Sequence, residues 1–179
     1  MKAIHKGDSI CLFIDATGGT GKTFVLNTIL ASIRAMDGGS IALAVGSTGI
    51  AANLLLLGRT FHSRFKAPLI LSEDCRLRIP LGTELAKLIE MALIIVVDEA
   101  TMLNNLLLQA LDECFRDIMR TSTPFGGKVL VLCGDFRQTL PVIPGASRAG
   151  IIAWCLTQHP LWQHYTVMHL TPNRRGKRE

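Results

Sequence analysis

The chain has 179 residues, which suits a single domain with a sizeable core, and its hydrophobic share of 49% favours a sheet that is buried on both faces. The densest apolar run, 91–97, is too short for a membrane span, and the first residues lack a secretion signal, so we expect neither membrane association nor secretion. The net charge of +5 gives a mild preference for an anionic partner, and much of the excess positive charge lies in a basic tail at 171–179. Five scattered cysteines favour a reducing, intracellular compartment.

The first predicted strand lies within 10–16 and runs into a glycine-rich loop that opens a helix. The loop has the layout of a phosphate-binding loop, with Ala16 in place of the first glycine. A triphosphate needs inward-turned backbone N–H groups, an ammonium for its outer phosphates and a hydroxyl for Mg²⁺. Lys22 supplies the ammonium, Thr23 supplies the hydroxyl, and the positive end of the helix favours the anion. The predicted nucleotide-binding residues are Gly18, Gly19, Thr20, Gly21, Lys22 and Thr23. The alternative is a glycine-rich turn that binds nothing.

Helix and strand patterns alternate through the rest of the chain. The predicted helices cover 23–36, 50–57, 83–91, 104–119 and 151–162, the last interrupted at Pro160. The further predicted strands cover 41–45, 93–97, 129–133 and 166–170, and 66–81 is interpreted as loops. This alternation predicts an α/β fold with a mainly parallel sheet and right-handed crossovers.

Two acids follow the strand at 93–97. A buried strand that ends in Asp98-Glu99 puts a metal-binding carboxylate at the edge of the sheet where α/β folds bind their ligands. Asp98 is predicted to hold Mg²⁺ and Glu99 to polarise the attacking water. Alone, such acids often cap the next helix. With the phosphate loop upstream, they indicate nucleotide hydrolysis.

A third polar segment, Gly134 to Gln138, follows the strand at 129–133. Its side chains can reach the same edge of the sheet. The amide of Gln138 can donate a hydrogen bond to a γ-phosphate oxygen and accept one from the lytic water. The alternative is a polar turn capped by Asp135.

These motifs and their order resemble the first RecA-like domain of the PIF (petite integration frequency) DNA helicases, superfamily-one motors related to RecD. The matching segments are 18–23, 47–52, 60–63, 97–100 and 134–142, of which the last is highly specific. The resemblance covers nearly the whole chain. It implies a P-loop NTPase fold, a RecA-like three-layer sandwich, that binds ATP and Mg²⁺.

The resemblance also implies a track for single-stranded DNA. The residues carried over to it are Ser47, Thr48, Thr60, Phe61, His62 and Ser63. Hydroxyl and backbone N–H groups suit phosphates, and aromatic rings can stack on bases. That Phe61 and Phe65 are instead core aromatics stays equally open.

Near the C-terminus, 170–175 resembles the family's leucine, asparagine and arginine motif, whose arginine reaches the γ-phosphate. That arginine is most simply Arg175, which is therefore counted with Lys22, Glu99 and Gln138 as a catalytic residue.

The function implied by the resemblance is that of the nucleotide-binding half of a 5′ to 3′ DNA helicase. Such helicases act in DNA repair, recombination or telomere maintenance, in the nucleus or the mitochondrion. The expected partners are single-stranded DNA and a second RecA-like domain or chain, which 1–179 does not encode. Two other functions stay open. One is a nucleotide-binding or DNA-binding module without catalysis, such as the remnant of a larger helicase or transposon protein. The other is a P-loop ATPase with no role on nucleic acid.

Overall fold

The computed structural model describes residues 10–36, 38–72, 74–143, 145 and 147–171. The strands are β1 (Cys11–Ala16), β2 (Ile41–Gly46), β3 (Arg59–Thr60), β4 (Ala92–Asp98), β5 (Val129–Gly134) and β6 (Tyr165–Leu170). The α-helices are α1 (Lys22–Arg34), α2 (Gly49–Leu54), α3 (Phe61–Phe65), α4 (Glu84–Met91), α5 (Asn105–Met119) and α6 (Arg148–Ala153). Short 3₁₀ helices cover Ala100–Met102, Pro124–Gly127, Leu156–Gln158 and Pro160–His164.

The strands form one six-stranded sheet in the order β3-β2-β4-β5-β1-β6, and every neighbouring pair is parallel. The parallel α/β prediction is therefore confirmed. All the strands end at the same edge of the sheet, and β1, β5 and β4 lie side by side in its middle. The loops that follow these three strands are consequently neighbours, although they are far apart in the sequence.

Apolar side chains cover both faces of the sheet and give the domain three layers. On one face, α1 packs Leu26, Leu30 and Ile33 against alternate residues of β2, β4 and β5. On the other face, α3, α4 and the amphipathic helix α5 enclose the larger core cluster, which includes Phe13, Phe65 and Phe115. This two-sided burial explains why the strands read as nearly continuous apolar runs. Within the described segments, no helix is long and apolar enough to cross a membrane.

Side-chain caps set the start of several helices. Thr83 accepts a hydrogen bond from the backbone N–H of Ala86 and so begins α4, as predicted. Asn104 caps α5 in the same way through Leu106. The predicted loops at 66–81 contain no helix or strand in the described residues 66–72 and 74–81.

The structure differs from the sequence-based predictions in three regions. The polar stretch at 59–65 forms β3 and α3, which the sequence pattern did not reveal because both are very short. Helix α2 ends at Leu54 instead of Leu57, because Leu55 is extended and Leu57 has a φ of 54°. The predicted helix at 151–162 is confirmed only over 151–153, within α6, and its continuation to 162 is wrong. Extended backbone at Cys155 and His159 divides the region into α6 and two 3₁₀ helices, and Pro160 favours that break.

The short strand β3 covers only part of the outer edge of β2. Its pairing with β2 is limited to Val45 and Gly46. The guanidinium of Arg34, at the end of α1, donates hydrogen bonds to the carbonyls of Ala42 (2.7 Å) and Leu56 (2.9 Å). The side chain of Arg34 therefore donates to a carbonyl that would otherwise be free to accept a hydrogen bond from a further strand.

Candidate active site

The loop between β1 and α1 has the conformation that a phosphate-binding loop needs. Gly19 and Gly21 have φ values of 77° and 86°, in the left-handed region that favours glycine. The hydroxyl of Thr20 donates to the carbonyl of Thr17 at 2.7 Å and closes the bend. Ala16, which replaces the first glycine of the motif, is the last residue of β1 and is extended, so a side chain is tolerated there.

Lys22 begins α1 and reaches across to the end of β4. Its ammonium nitrogen lies 3.3 Å from Oδ1 of Asp98 and donates a hydrogen bond to the carboxylate of Glu99. Asp98 is only 2% exposed, whereas Glu99 is partly open to solvent. Glu99 has a φ of 53°, a conformation that costs energy for a residue with a side chain and that is common at functional sites. The ammonium of Lys22 thus connects the phosphate-binding loop with the acidic motif Asp98-Glu99, the two strongest motifs in the sequence.

Burial and charge act in opposite directions on these groups. Burial raises the pKa of Asp98 above its ordinary value, and the charge of Lys22 offsets only part of that effect. Burial lowers the pKa of Lys22, but the hydrogen bond to Glu99 and the charges of both acids outweigh it and hold that pKa above its ordinary value. Lys22 therefore stays charged and compensates the acids in the absence of nucleotide.

Gln138 lies against the phosphate-binding loop. A Cβ placed on Gly18 would be 3.2 Å from Nε2 of Gln138, so the amide contacts the loop that would hold the phosphates. The backbone N–H of Gln138 donates to the carbonyl of Asp135 at 3.1 Å. The turn after β5 thus directs this side chain towards β1, as the glutamine prediction requires.

A chain of polar contacts beside Gln138 was not predicted. Arg137 donates to Oδ1 of Asp135 at 2.8 Å, and a second of its nitrogens lies 3.4 Å from Asp15 at the end of β1. The other oxygen of Asp15 lies 3.0 Å from Nδ1 of His169 on β6. The hydrogen bond from Arg137 lowers the pKa of Asp135 below its ordinary value. Since β1 lies between β5 and β6, these contacts depend on strand order, which no local sequence pattern encodes.

The segments predicted to bind DNA lie next to each other at the ends of β2 and β3. Gly46 pairs with Thr60, so 47–48 and 60–63 leave the sheet side by side. The hydroxyl of Thr48 caps α2 by accepting from Ala51 at 3.1 Å, and that of Thr60 caps α3 by accepting from Ser63 at 3.3 Å. Each hydroxyl keeps its own proton for donation to a phosphate.

Ser47 connects this surface to the acidic motif. Its backbone N–H donates to the carbonyl of Asp98 at 3.0 Å. Its hydroxyl oxygen is buried and has no hydrogen-bond partner among the described residues. The predicted DNA segment and the predicted metal ligand therefore share a backbone contact.

The structure corrects the interpretation of Phe61. Its ring is 1% exposed and packs edge-on against Phe65, which in turn contacts Phe115 of α5. Phe61 and Phe65 are core aromatics, and neither offers a ring face to a base. His62 is half-buried and Ser63 is exposed, so these two residues remain accessible on α3.

The donor groups at the site fit a magnesium ion. A hydroxyl at Thr23, in the first turn of α1, and a carboxylate at Asp98 are the hard oxygen ligands that Mg²⁺ prefers. Arg175, predicted to reach the γ-phosphate, and most of the basic tail at 171–179 lie outside the described residues.

Comparison with known proteins agrees with this arrangement. The family model for PIF1-like helicases matches residues 1–179. The chain belongs to the PIF1-like helicase family. It is 34% identical over 151 residues to a human protein named ATP-dependent DNA helicase PIF1, an alignment that covers 82% of this chain and 22% of the human protein. It is 32% identical over 152 residues to the Candida albicans protein of the same name, covering 84% of this chain and 16% of that protein.

A solved Pif1 helicase from Bacteroides, in complex with ADP-AlF3 and single-stranded DNA, has the same fold. It superposes with a TM-score of 0.77 at 22% identity, covering 99% of this chain and 43% of the Bacteroides chain. The fold is therefore the RecA-like P-loop fold of Pif1 helicases. The chain spans about a fifth of the length of the curated relatives it matches and less than half of that solved chain.

Proposed function

We propose that this domain binds and hydrolyses Mg-ATP and couples hydrolysis to movement along single-stranded DNA, as the nucleotide-binding half of a helicase. The observation that carries the proposal is the contact of Lys22 with Asp98 and Glu99, beside a loop of phosphate-binding geometry. Two sequence motifs separated by about seventy-five residues, each weaker alone, converge there on one site. The human and Candida albicans relatives, both named ATP-dependent DNA helicase PIF1, support the same conclusion.

Lys22 changes partners when nucleotide binds. Without nucleotide, its ammonium compensates two carboxylates. A triphosphate carries more negative charge and is held by the backbone N–H groups of the loop, so it draws Lys22 to the β and γ phosphates. Asp98 and Glu99 are then left for the metal and the attacking water.

Thr23 and Asp98 would hold the Mg²⁺ that accompanies ATP. When bound, the ion neutralises charge that develops on the phosphate oxygens. Release of Lys22 from Asp98 supplies the free carboxylate that this requires.

Glu99 polarises the attacking water, and Gln138 contacts the γ-phosphate. Glu99 is partly exposed at the mouth of the site, where water can approach it. Gln138 already lies against the loop at Gly18, within reach of a terminal phosphate. Arg175 is proposed as a further γ-phosphate contact, on the resemblance alone.

Single-stranded DNA would bind across the ends of β2 and β3. The surface consists of Ser47 and Thr48 on one side and Thr60, His62 and Ser63 on the other. The backbone contact between Ser47 and Asp98 gives this surface a direct connection to the nucleotide site. The Bacteroides Pif1 structure, which holds both a nucleotide analogue and single-stranded DNA, supports the same pair of ligands for this fold.

Strand separation needs a second RecA-like domain, in the same protein or in a partner chain. Domains of this kind close on ATP and supply a further arginine, and such an arginine contributes about 10³ to 10⁵ in turnover. By family membership, we propose 5′ to 3′ movement and a role in DNA repair, recombination or telomere maintenance. We also propose that the protein acts in the nucleus or the mitochondrion.

The test is steady-state ATP hydrolysis by the purified chain, with and without a single-stranded oligonucleotide, beside the Glu99→Gln variant. Binding of a fluorescent ADP is measured on the same samples. We expect nucleotide binding in both proteins and DNA-stimulated hydrolysis in the wild type alone.

Each other outcome identifies a different function. Nucleotide binding without hydrolysis would indicate a binding module, or a helicase half whose turnover requires the arginine of a second domain. Hydrolysis that DNA does not stimulate, in a chain that does not bind the oligonucleotide, would indicate an ATPase without a role on nucleic acid. Absence of nucleotide binding would overturn the proposal.

A further inference from the structure

Two threonine side chains join the acidic motif to the glutamine segment. The hydroxyl oxygens of Thr101 and Thr139 lie 2.8 Å apart, a hydrogen bond between residues 38 positions apart in the chain. Thr101 belongs to the 3₁₀ helix that directly follows Glu99, and it is fully buried at 0% exposure. Thr139 directly follows Gln138. The hydrogen bond therefore connects a residue two positions after Glu99, proposed to act on water, with the residue directly after Gln138, proposed to contact the γ-phosphate.

The turn that carries Gln138 is attached to the rest of the domain by one apolar ring and by two polar side-chain contacts. Within the turn, the N–H groups of Gln138 and Thr139 donate to the carbonyl of Asp135 at 3.1 and 3.2 Å. These bonds shape the turn but do not fix its place. Among the described residues, its polar side-chain attachments to other segments are the Arg137–Asp15 ion pair and the threonine pair, and the ring of Phe136 packs against Phe13 and Trp162.

The two polar attachments differ in strength. Arg137 is 63% exposed and 3.4 Å from Asp15, so solvent screens this pair and it contributes little. The threonine bond is partly buried, and loss of either hydroxyl there would leave the other without its partner. The threonine pair is therefore the stiffer of the two polar attachments, and it is the one that leads to the acidic motif.

Close packing supports the same contact. Gly134, the last residue of β5, lies directly against Thr101. A Cβ on Gly134 would be 2.7 Å from Cγ2 of Thr101 and 3.0 Å from its hydroxyl oxygen. Only a glycine at 134 lets the 3₁₀ helix approach β5 closely enough for Thr101 to reach Thr139.

We propose that Thr101 and Thr139 are positioning residues that hold Gln138 in register with Glu99, so that the γ-phosphate contact and the water-polarising group act together. This inference rests on the proposed function. Neither hydroxyl contacts the reacting atoms. Their effect arises because a displacement of about 1 Å in a catalytic group costs on the order of 100-fold in rate.

The test compares Thr139→Val, Thr139→Ser and the double variant Thr101→Val with Thr139→Val. Valine has the shape of threonine without its hydroxyl, and serine restores the hydroxyl. The control is Thr123→Val, because Thr121 and Thr123 form a similar hydroxyl pair at 3.0 Å on an exposed surface. Each protein is assayed for kcat and KM for ATP, for melting temperature, and for its affinity for ADP alone and for ADP with aluminium fluoride.

We expect Thr139→Val to lower kcat by about 10-fold to 100-fold and to weaken the aluminium fluoride complex by a similar factor, with little change in KM or in ADP affinity. Thr139→Ser and Thr123→Val should behave like the wild type. The double variant should recover the melting temperature, since no hydroxyl is left unpaired, but not the kcat.

Three results would count against the inference. The positioning role is wrong if Thr139→Val leaves both kcat and the preference for aluminium fluoride unchanged. It is also wrong if the double variant recovers activity together with stability, because the hydrogen bond would then be purely structural. If the wild type binds neither ADP nor its fluoride complex, the proposed function itself fails, and the inference fails with it.

Discussion

The ammonium nitrogen of Lys22 lies 3.3 Å from Oδ1 of Asp98, so the first residue of α1 and the last residue of β4 form an ion pair across the sheet edge. The carboxylate is almost fully buried and the lysine is 16% exposed. Removal of such a carboxylate from water favours its protonated form, and Lys22 compensates this cost only in part. The pair is therefore suited to binding a nucleotide and a metal ion, which would replace the lysine beside Asp98.

The pH dependence of stability should report the buried carboxyl of Asp98. The folded protein binds this proton more tightly than the unfolded chain, because burial raises the pKa above its ordinary value of 3.8. The free energy of unfolding should therefore fall as the pH rises from 3.8 through the raised pKa. Asp98→Asn should remove this contribution. Urea unfolding between pH 4 and 7 measures it, with Glu84→Gln as a control that changes the net charge equally. Parallel curves for wild type and Asp98→Asn would contradict the assignment.

Replacement of Lys128 should destabilise the fold. Its buried ammonium donates to the carbonyl of Glu90, in the last turn of α4, and to that of Ala92 at 3.1 Å. Lys128→Met leaves these carbonyls without their donor and should lower the free energy of unfolding by about 1 to 3 kcal/mol. Lys87→Met, which removes only an exposed contact with Glu84, is the control and should stay within about 1 kcal/mol of the wild type. Equal effects in chemical denaturation would show that burial of Lys128 does not matter.

Substitution by alanine at two glycines near α2 should have opposite effects on the free energy of unfolding. A Cβ on Gly46 would lie 2.8 Å from the Cα of Ala52, so Gly46→Ala must push α2 away from β2 and should cost about 1 to 3 kcal/mol. Gly49, in the first turn of α2, has open space around its Cβ position, and Gly49→Ala should be neutral or stabilise by up to about 1 kcal/mol. Thermal unfolding of both variants checks this pair. A stable Gly46→Ala protein would show that α2 can shift without cost.

Substitutions at two neighbouring residues of α3 should have separate effects, one on stability and the other on DNA binding. Phe61→Ala opens a cavity in the core and should cost about 3 to 5 kcal/mol. His62→Ala should keep the melting temperature but weaken the binding of a single-stranded oligonucleotide, by about 1 to 3 kcal/mol if the ring stacks on a base. Fluorescence anisotropy with a labelled oligonucleotide measures the second effect. Unchanged affinity in His62→Ala would remove this residue from the DNA surface.

The parts of the fold that could be predicted are those with long, regular patterns or a motif of fixed spacing. The apolar run before Asp98 and the glycines before Lys22 each mark where a strand ends and which side chain there can bind a ligand. The structure brings Asp98 and Lys22 into contact. The strand β3 and the helix α3 are too short to produce a periodic pattern. Phe61 could not be assigned from sequence, since a stacking aromatic and a core aromatic look alike until burial is known.

The supporting contacts of the site could not be predicted for a different reason. The pairs Thr101–Thr139 and Asp15–Arg137 join segments that meet only because β5 lies between β4 and β1. A single sequence does not contain that order. Asp135 and Arg137 were visible in the glutamine segment, but the contact of Arg137 with Asp15 was not.

The side chain of Arg34 has a consequence for how copies of this chain behave towards each other. Because β3 pairs only with Val45 and Gly46, the first half of β2 offers backbone groups at a sheet edge, where a strand of another molecule could add. Arg34 occupies the carbonyl of Ala42 and places a charged group in the path of such a strand. One arginine at the end of α1 thus opposes strand addition between molecules and the growth of fibrous aggregates from the exposed edge.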